Sequence, residues 1–238
     1  MRVVTKAFLR YLRRRRSLSL LQLLGIACGV AAAVGMALSA RVSLSSFEKA
    51  VESLNGQATH FLQRPAGPVK ETVLARLMAD PAVRAFSPLI DRRIRLNNGE
   101  MVRLLGIDPF LDRQIRPQLG GSRPRAISGH PPDPFAFLLE EDAVLVDEQL
   151  ASQLRLSTGQ PLETSRGTFR IVGAFPNASG EPLILMDIGH AQRLFELAGK
   201  IDRVDLIVSD EAAFLSRWKS GFRIQSGRQR QETLRDML

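Results

Sequence analysis

The chain has 238 residues, with 33 basic and 24 acidic side chains for a formal charge of +9, and a single cysteine. The charge is concentrated: residues 1–17 hold seven basic groups and no acid, whereas residues 41–238 hold 26 basic against 24 acidic groups. The large segment is thus left without the basic excess that nucleic-acid binding needs, and a lone cysteine excludes an intrachain disulfide or a cysteine-type zinc site.

In chain order, the first element is an amphipathic helix over residues 1–17. Val3, Val4, Ala7, Phe8, Tyr11 and Leu12 fall on a different face from Lys6 and Arg10, which is the pattern of a helix lying on the inner surface of a membrane. Arg10, Arg13, Arg14, Arg15 and Arg16 are topology determinants: basic residues beside a span hold that end in the cytoplasm, and anionic lipid attracts each by about 1 kcal/mol. A tetra-arginine run also occurs in nuclear signals and RNA patches, but its place against an apolar run favours the membrane.

Residues 18–40 contain no charged side chain, and as a helix they would extend roughly 35 Å, enough for a hydrocarbon core of about 30 Å. A cleaved signal peptide is the competing reading, because Ala37, Ser39 and Ala40 are small; the apolar run is longer than such signals use. Gly25, Gly29 and Ala33 recur every four residues with Gln22 one turn earlier on nearly the same face, a packing stripe for another membrane helix.

Leu44, Phe47, Val51 and Leu54 continue the helical spacing beyond the span while Arg41, Glu48, Lys49 and Glu52 fall elsewhere, predicting a stalk helix over 41–58 with a coiled-coil-like seam. A plain amphipathic helix on its own domain remains the other reading.

An extended 59–64, a Pro-Ala-Gly-Pro turn and a helix from about Val69 to Ala79 come next. Strands Val83–Leu96 and Met101–Ile107 are joined through Asn98-Gly99, a strong hairpin signal. From Asp108 to about Pro134 the composition turns to Pro, Gly, Arg and Ser, predicting an irregular surface crossing. Regular structure resumes with a strand over 143–146, a helix over 147–154, strands over 161–165, 168–175 and 183–186, and a helix over 188–198 capped by Asp187. A strand over 203–208, a helix over 211–218 and an extended 222–225 complete it. The final residues lean helical again, with Leu234 and Leu238 apolar. The whole reads as an α+β domain behind one membrane helix.

Motifs of chemistry are scarce. No phosphate-binding G-x-x-x-x-G-K-[ST] occurs, and the run from Gly120 to Pro124 lacks the second glycine of a nucleophile elbow. His60, His130 and His190 are too far apart in sequence to suggest a metal site, and His190 is expected on a helix surface. No catalytic, cofactor or metal residue is expected.

The order of these features resembles the N-terminal half of an ABC-transporter permease of the MacB, FtsX and lipoprotein-releasing type. The residues that carry the likeness are FLRYLRRRRSLSLLQLLGIACGVA at the start, GIDP at 106–109, AVLVDEQLASQLRLSTGQPLE followed by FRIVGAF, and PLILMDIGHAQRLFELAGKIDRVDLIVSD. The resemblance implies a periplasmic porter lobe of βαβ type, about 59–107 with 181–225, interrupted by a sabre-like lobe at 108–180. It implies that 226–238 is a return stalk toward a second span, with Leu234 and Leu238 facing the first stalk.

The function implied is mechanical: a partner ABC ATPase in the cytoplasm closes a homo- or heterodimer of permeases and so moves the periplasmic domain, for export or for handling lipoprotein, lipid or peptide, with a periplasmic partner in some members. The ATPase activity would reside in that other subunit, no cofactor is implied for this chain, and residues 41–238 would face outward from the bacterial inner membrane. Such permeases have four spans and this chain holds only the first, so the resemblance implies a fragment or a truncated gene. The alternative is a single-span envelope protein whose α/β domain binds a ligand or serves as a scaffold.

Overall fold

A computed structural model of the chain describes residues 21, 24–39, 56–120, 124–127, 135–177 and 179–227. Met1–Glu48 and Lys49–Leu238 are separate units. In the first, residues 24–39 form a helix, α1, exposed throughout, apolar positions such as Ile26 and Val30 included. Among the described residues no helix is long and apolar enough to cross a membrane. Residues 18–20, 22, 23 and 40 of the expected span lie outside the described residues, as do 1–17, the stalk seam at 44–54 and the return stalk from 228 on.

In the second unit, nine described strands form one mixed sheet in the order β11-β1-β10-β3-β4-β8-β5-β7-β6. These are β1 (His60–Gln63), β3 (Val83–Arg95), β4 (Met101–Ile107), β5 (Ala143–Asp147), β6 (Pro161–Thr164), β7 (Gly167–Phe175), β8 (Leu183–Asp187), β10 (Arg203–Val208) and β11 (Arg223–Ser226). The pairs β4 with β8 and β5 with β7 are parallel and the rest antiparallel. The hairpin expected at Asn98-Gly99 joins β3 to β4, in register from Leu89↔Ile107 to Arg95↔Met101, with Gly99 supplying the φ of +88° that the turn requires. Beyond β3, Leu96 pairs with Thr164 of β6, so the sheet curls round and meets itself.

That curl encloses a core of Ile90, Ile94, Leu104, Val144, Ile171 and Ile184, closed by α6 (Glu148–Gln153) and α7 (Ile188–Leu194). Leu105, Leu145, Val172 and Leu185 of the opposite face pack with Leu119 and Phe137. These two belong to short helices, α4 (Pro117–Gly120) and α5 (Ala136–Leu139). A third cluster, around Leu62 and Leu206, is capped by α2 (Val73–Met78) and α8 (Glu211–Trp218). Burying each such aliphatic side chain contributes roughly 1.5–3 kcal/mol.

Gly106 shows how closely α7 sits on β4. A Cβ there would lie 2.5 Å from the Cβ of Ala191 and 3.2 Å from that of Ile90, neither of which can swing away. Gly106→Ala is therefore expected to cost about 1–3 kcal/mol through overpacking, read as a lower urea midpoint with an unchanged slope. An unchanged midpoint would contradict that packing.

Three expectations are corrected. The helix expected from Val69 begins only at Val73, because Val69–Lys70 forms a strand, β2, paired with β9 (Lys200–Ile201) and fixed by the Glu71 amide on Gly199 O at 2.9 Å. From Asp108 to Gly120 the stretch is not irregular: α3 (Pro109–Asp112) starts there, with Asp108 accepting from the Phe110 and Leu111 amides, and Ile115, Arg116 and Leu119 are buried; residues 121–123 and 128–134 of the expected crossing lie outside the described residues. His190 is not on a surface; it is 8% exposed, held inward because α7 lies against the sheet.

Candidate functional site

The strand pair β1 and β11 sets where the chain enters and leaves the sheet. Their antiparallel register runs from His60↔Ser226 to Gln63↔Arg223, and the Gly227 amide donates to Thr59 O at 2.8 Å. The segment arriving at Thr59 and the segment departing at Gly227 are therefore neighbours, although 168 positions separate them in sequence.

The arriving side is bound tightly to the domain. Thr59 donates its amide to Leu206 O at 2.8 Å, and its hydroxyl accepts from the Val208 amide at 2.9 Å. Two residues earlier, the Gln57 amide donates to Ile115 O at 2.7 Å. Gly56 has φ +58°, and a side chain there would collide with the Ile115 carbonyl and Arg116 Cγ, so the approach requires glycine.

Arg116 begins a line of ion pairs that crosses the sheet. Its guanidinium is wholly buried between Asp112 and Asp205, with Nη1 2.5 Å from Asp205 Oδ2 and Nε 3.1 Å from Asp112 Oδ2. Ser87 Oγ donates to Asp112 at 2.7 Å. Arg203 stands two residues from Asp205 on β10 and so on the same face; its Nε reaches Asp205 at 2.8 Å and its Nη1 reaches Asp91 of β3 at 3.2 Å. Arg103 of β4 takes Asp91 in a two-pronged grip at 2.8 and 2.6 Å and touches Glu181 at 3.3 Å, where Arg93 also arrives at 2.9 Å. Glu181 lies just before β8, the strand that joins the β11-β1-β10-β3-β4 side of the sheet to β5-β7-β6.

Burial works against the charge on Asp205, but Arg203 and Arg116 outweigh it and the carboxyl is held below the usual range. Such a line adds little net stability over an apolar core, since desolvation consumes the attraction; what it supplies is one allowed arrangement of the elements it joins. Its carboxylates are engaged by guanidinium groups and hold structure. Among the described residues, no group of His, Cys, Asp and Glu is placed to bind a metal.

A second anchor holds α8. Asp80, buried between α2 and β3, accepts from Arg217 at 3.0 and 2.6 Å, from the Trp218 indole at 2.7 Å and from the Ala82 amide at 2.9 Å. The Arg217 bonds, helped by Trp218 and the Ala82 amide, overcome burial and lower its pKa to about 2. A depressed carboxylate contributes stability above its unfolded pKa of 3.8, lost as pH falls toward 2. The urea midpoint of Asp80→Asn is expected below that of the parent at pH 6, with the gap closing by pH 2; a gap that does not change with pH would contradict this.

Of the site residues expected from sequence, Gly25, Gly29 and Ala33 lie on α1, exposed, and a Cβ at either glycine would meet nothing within 4 Å. Gln22, Arg10, Arg13, Arg14, Arg15, Arg16, Leu44, Phe47, Val51, Leu54, Leu234 and Leu238 lie outside the described residues. The ion-pair line is absent from that set, although Arg203 and Asp205 inside an otherwise apolar strand, and Asp112 four residues before Arg116, are signals that could have found it.

The family described as MacB-like periplasmic core domain matches residues 19–214. An uncharacterized ABC transporter permease protein of Mycobacterium tuberculosis is 27% identical over 247 aligned positions, covering 96% of this chain and 28% of the relative. The chain therefore spans little more than a quarter of that relative's length. Among solved structures, the periplasmic region of MacB from Actinobacillus actinomycetemcomitans superposes with a TM-score of 0.52 at 13% identity, covering 79% of this chain and 98% of that one. The extracellular domain of the ABC-type transporter YknZ from Gram-positive bacteria gives 0.51 at 11% identity, covering 71% and 100%. Both show a shared fold.

Proposed function

The chain belongs to the MacB-like periplasmic core domain family, and from that premise we propose that it is the first part of an ABC-transporter permease that passes motion rather than cargo. A partner ATPase in the cytoplasm would drive a permease dimer, and the α/β domain beyond the membrane would move with it. The observation that carries this reading is the pairing of Thr59 with Gly227: a domain hung by two adjacent connections can be tilted or closed by the segments that hold it. In this account residues 18–40 span the membrane, residues 41–58 and 226–238 are the two rods of a stalk, and Gln22, Gly25, Gly29 and Ala33 face another membrane helix.

The strand order supports dividing the domain into a porter-like lobe, 59–107 with 181–225, and a sabre-like lobe, 108–180. The strands of the first adjoin as β11-β1-β10-β3-β4-β8 and those of the second as β5-β7-β6. The line from Arg116 to Glu181 runs from the base of the stalk to the seam between them. Substrate handling would then be set by the lobes, with lipoprotein, lipid or peptide as the classes to try.

Transmission across a membrane requires the domain and the ATPase to lie on opposite sides. Protease added to intact spheroplasts is expected to digest residues 41–238 and spare the first 17; the reverse pattern would place the domain beside the ATPase and remove the mechanism.

A further inference from the structure

We propose that a surface pocket at the far end of the β1 and β11 pair binds a phosphate group, free or on a small phosphorylated head group. Arg64 follows β1 and Phe222 precedes β11, so this pocket lies at the end of the pair opposite Thr59 and Gly227. Its volume is about 250 Å³, and Arg64, Lys70, Thr72, Arg76 and Phe222 line it with no acidic residue.

Four features make the site more than a solvated basic face. Neither Arg64 nor Lys70 is paired with a carboxylate of the described residues. Lys70 stands directly opposite Lys200 in the β2–β9 register, and like charges facing across a strand pair are destabilising. Glu71, the acid next in sequence, accepts from the Gln192 amide at 3.4 Å and does not line the pocket. Finally, the Arg76 guanidinium is held 4.7 Å over the Trp218 ring, whose indole N–H is fixed by Asp80. Stacking occupies the face of the guanidinium and leaves its N–H edge available.

Cations gathered without a counter-ion repel one another, and an anion between them relieves that cost. Phosphate fits better than a carboxylate because its oxygens can serve two guanidinium groups, an ammonium and the Thr72 hydroxyl together. The volume falls below the ~300–1,000 Å³ of drug-sized sites, so one small group is accommodated, with Phe222 as an apolar wall for an ester substituent.

The test is calorimetric titration of the full chain in neutral detergent at low ionic strength, with inorganic phosphate, glycerol 3-phosphate and a hexaglutamate peptide as probes. Phosphate or glycerol 3-phosphate is expected to bind, and Arg64→Ala with Lys70→Ala to weaken binding at least about tenfold, the loss of two charge-assisted contacts. Arg84→Ala, an exposed arginine lining a different groove, is expected to leave it unchanged. Both replaced side chains are exposed and Lys70 faces Lys200, so in the absence of ligand the double variant should unfold at a midpoint no lower than the parent's. Tighter binding of glycerol 3-phosphate identifies a head group as the source, and equal or tighter binding of phosphate identifies the free ion. Failure of both, binding that survives the double variant, or tighter binding of hexaglutamate would overturn the proposal, the last in favour of an acidic protein partner.

Discussion

Arg116→Met is expected to destabilise the domain by about 3–5 kcal/mol, the loss that follows when one member of a buried ion network is removed and the others stay behind. Methionine fills much of the same volume, so the cost is electrostatic. Asp112 would keep the Ser87 hydroxyl and Asp205 would keep Arg203, yet both carboxylates are 0% exposed and would lose their shared cation. Against a total stability of ~5–15 kcal/mol this is a large fraction, and chemical denaturation should show it as a much lower midpoint. Adding Asp112→Asn and Asp205→Asn to Arg116→Met should recover part of the loss, because stranded charges become neutral amides. By contrast, Arg125→Ala, which breaks an exposed pair with Glu148, should cost under about 1 kcal/mol. Equal costs for Arg116 and Arg125 would show that the buried line is not what fixes the segment from Asp112 to Arg116.

The sequence revealed elements whose signal is local. Asn98-Gly99 between two β-rich runs announced its hairpin, and Asp187 before an apolar helix announced its cap. Two kinds of feature stayed hidden. Val69–Lys70 looked helical because β-strand pairing with Lys200–Ile201, 130 positions away, has no local signature. The stretch from Asp108 to Gly120 looked irregular because its Pro, Gly and Arg content hides that Arg116 is internal, held by Asp112 four residues before it and by Asp205, 89 positions further along the chain. The pairing of Thr59 with Gly227 likewise depends on the register of two short strands, β1 and the edge strand β11, which composition does not encode.

The second large effect concerns the connection between the proposed stalk and the domain. If Gly56 and Gln57 join the domain rigidly through Ile115 and Arg116, then a pull on the preceding segment moves the whole unit. Six Gly-Ser residues inserted between Asn55 and Gly56 leave every contact from Gly56 onward in place but make the connection into Gly56 flexible.

The most direct measurement is the spin-label distance between the two domains of the proposed permease dimer, assembled at full length with the proposed partner ATPase, in a Cys28→Ser background with the label at Arg84→Cys, with and without ATP. Without the insertion ATP is expected to shift that distance; with it, ATP hydrolysis should continue while the shift disappears. An equal ATP-dependent shift in both proteins would contradict transmission through the junction at Gly56 to Thr59.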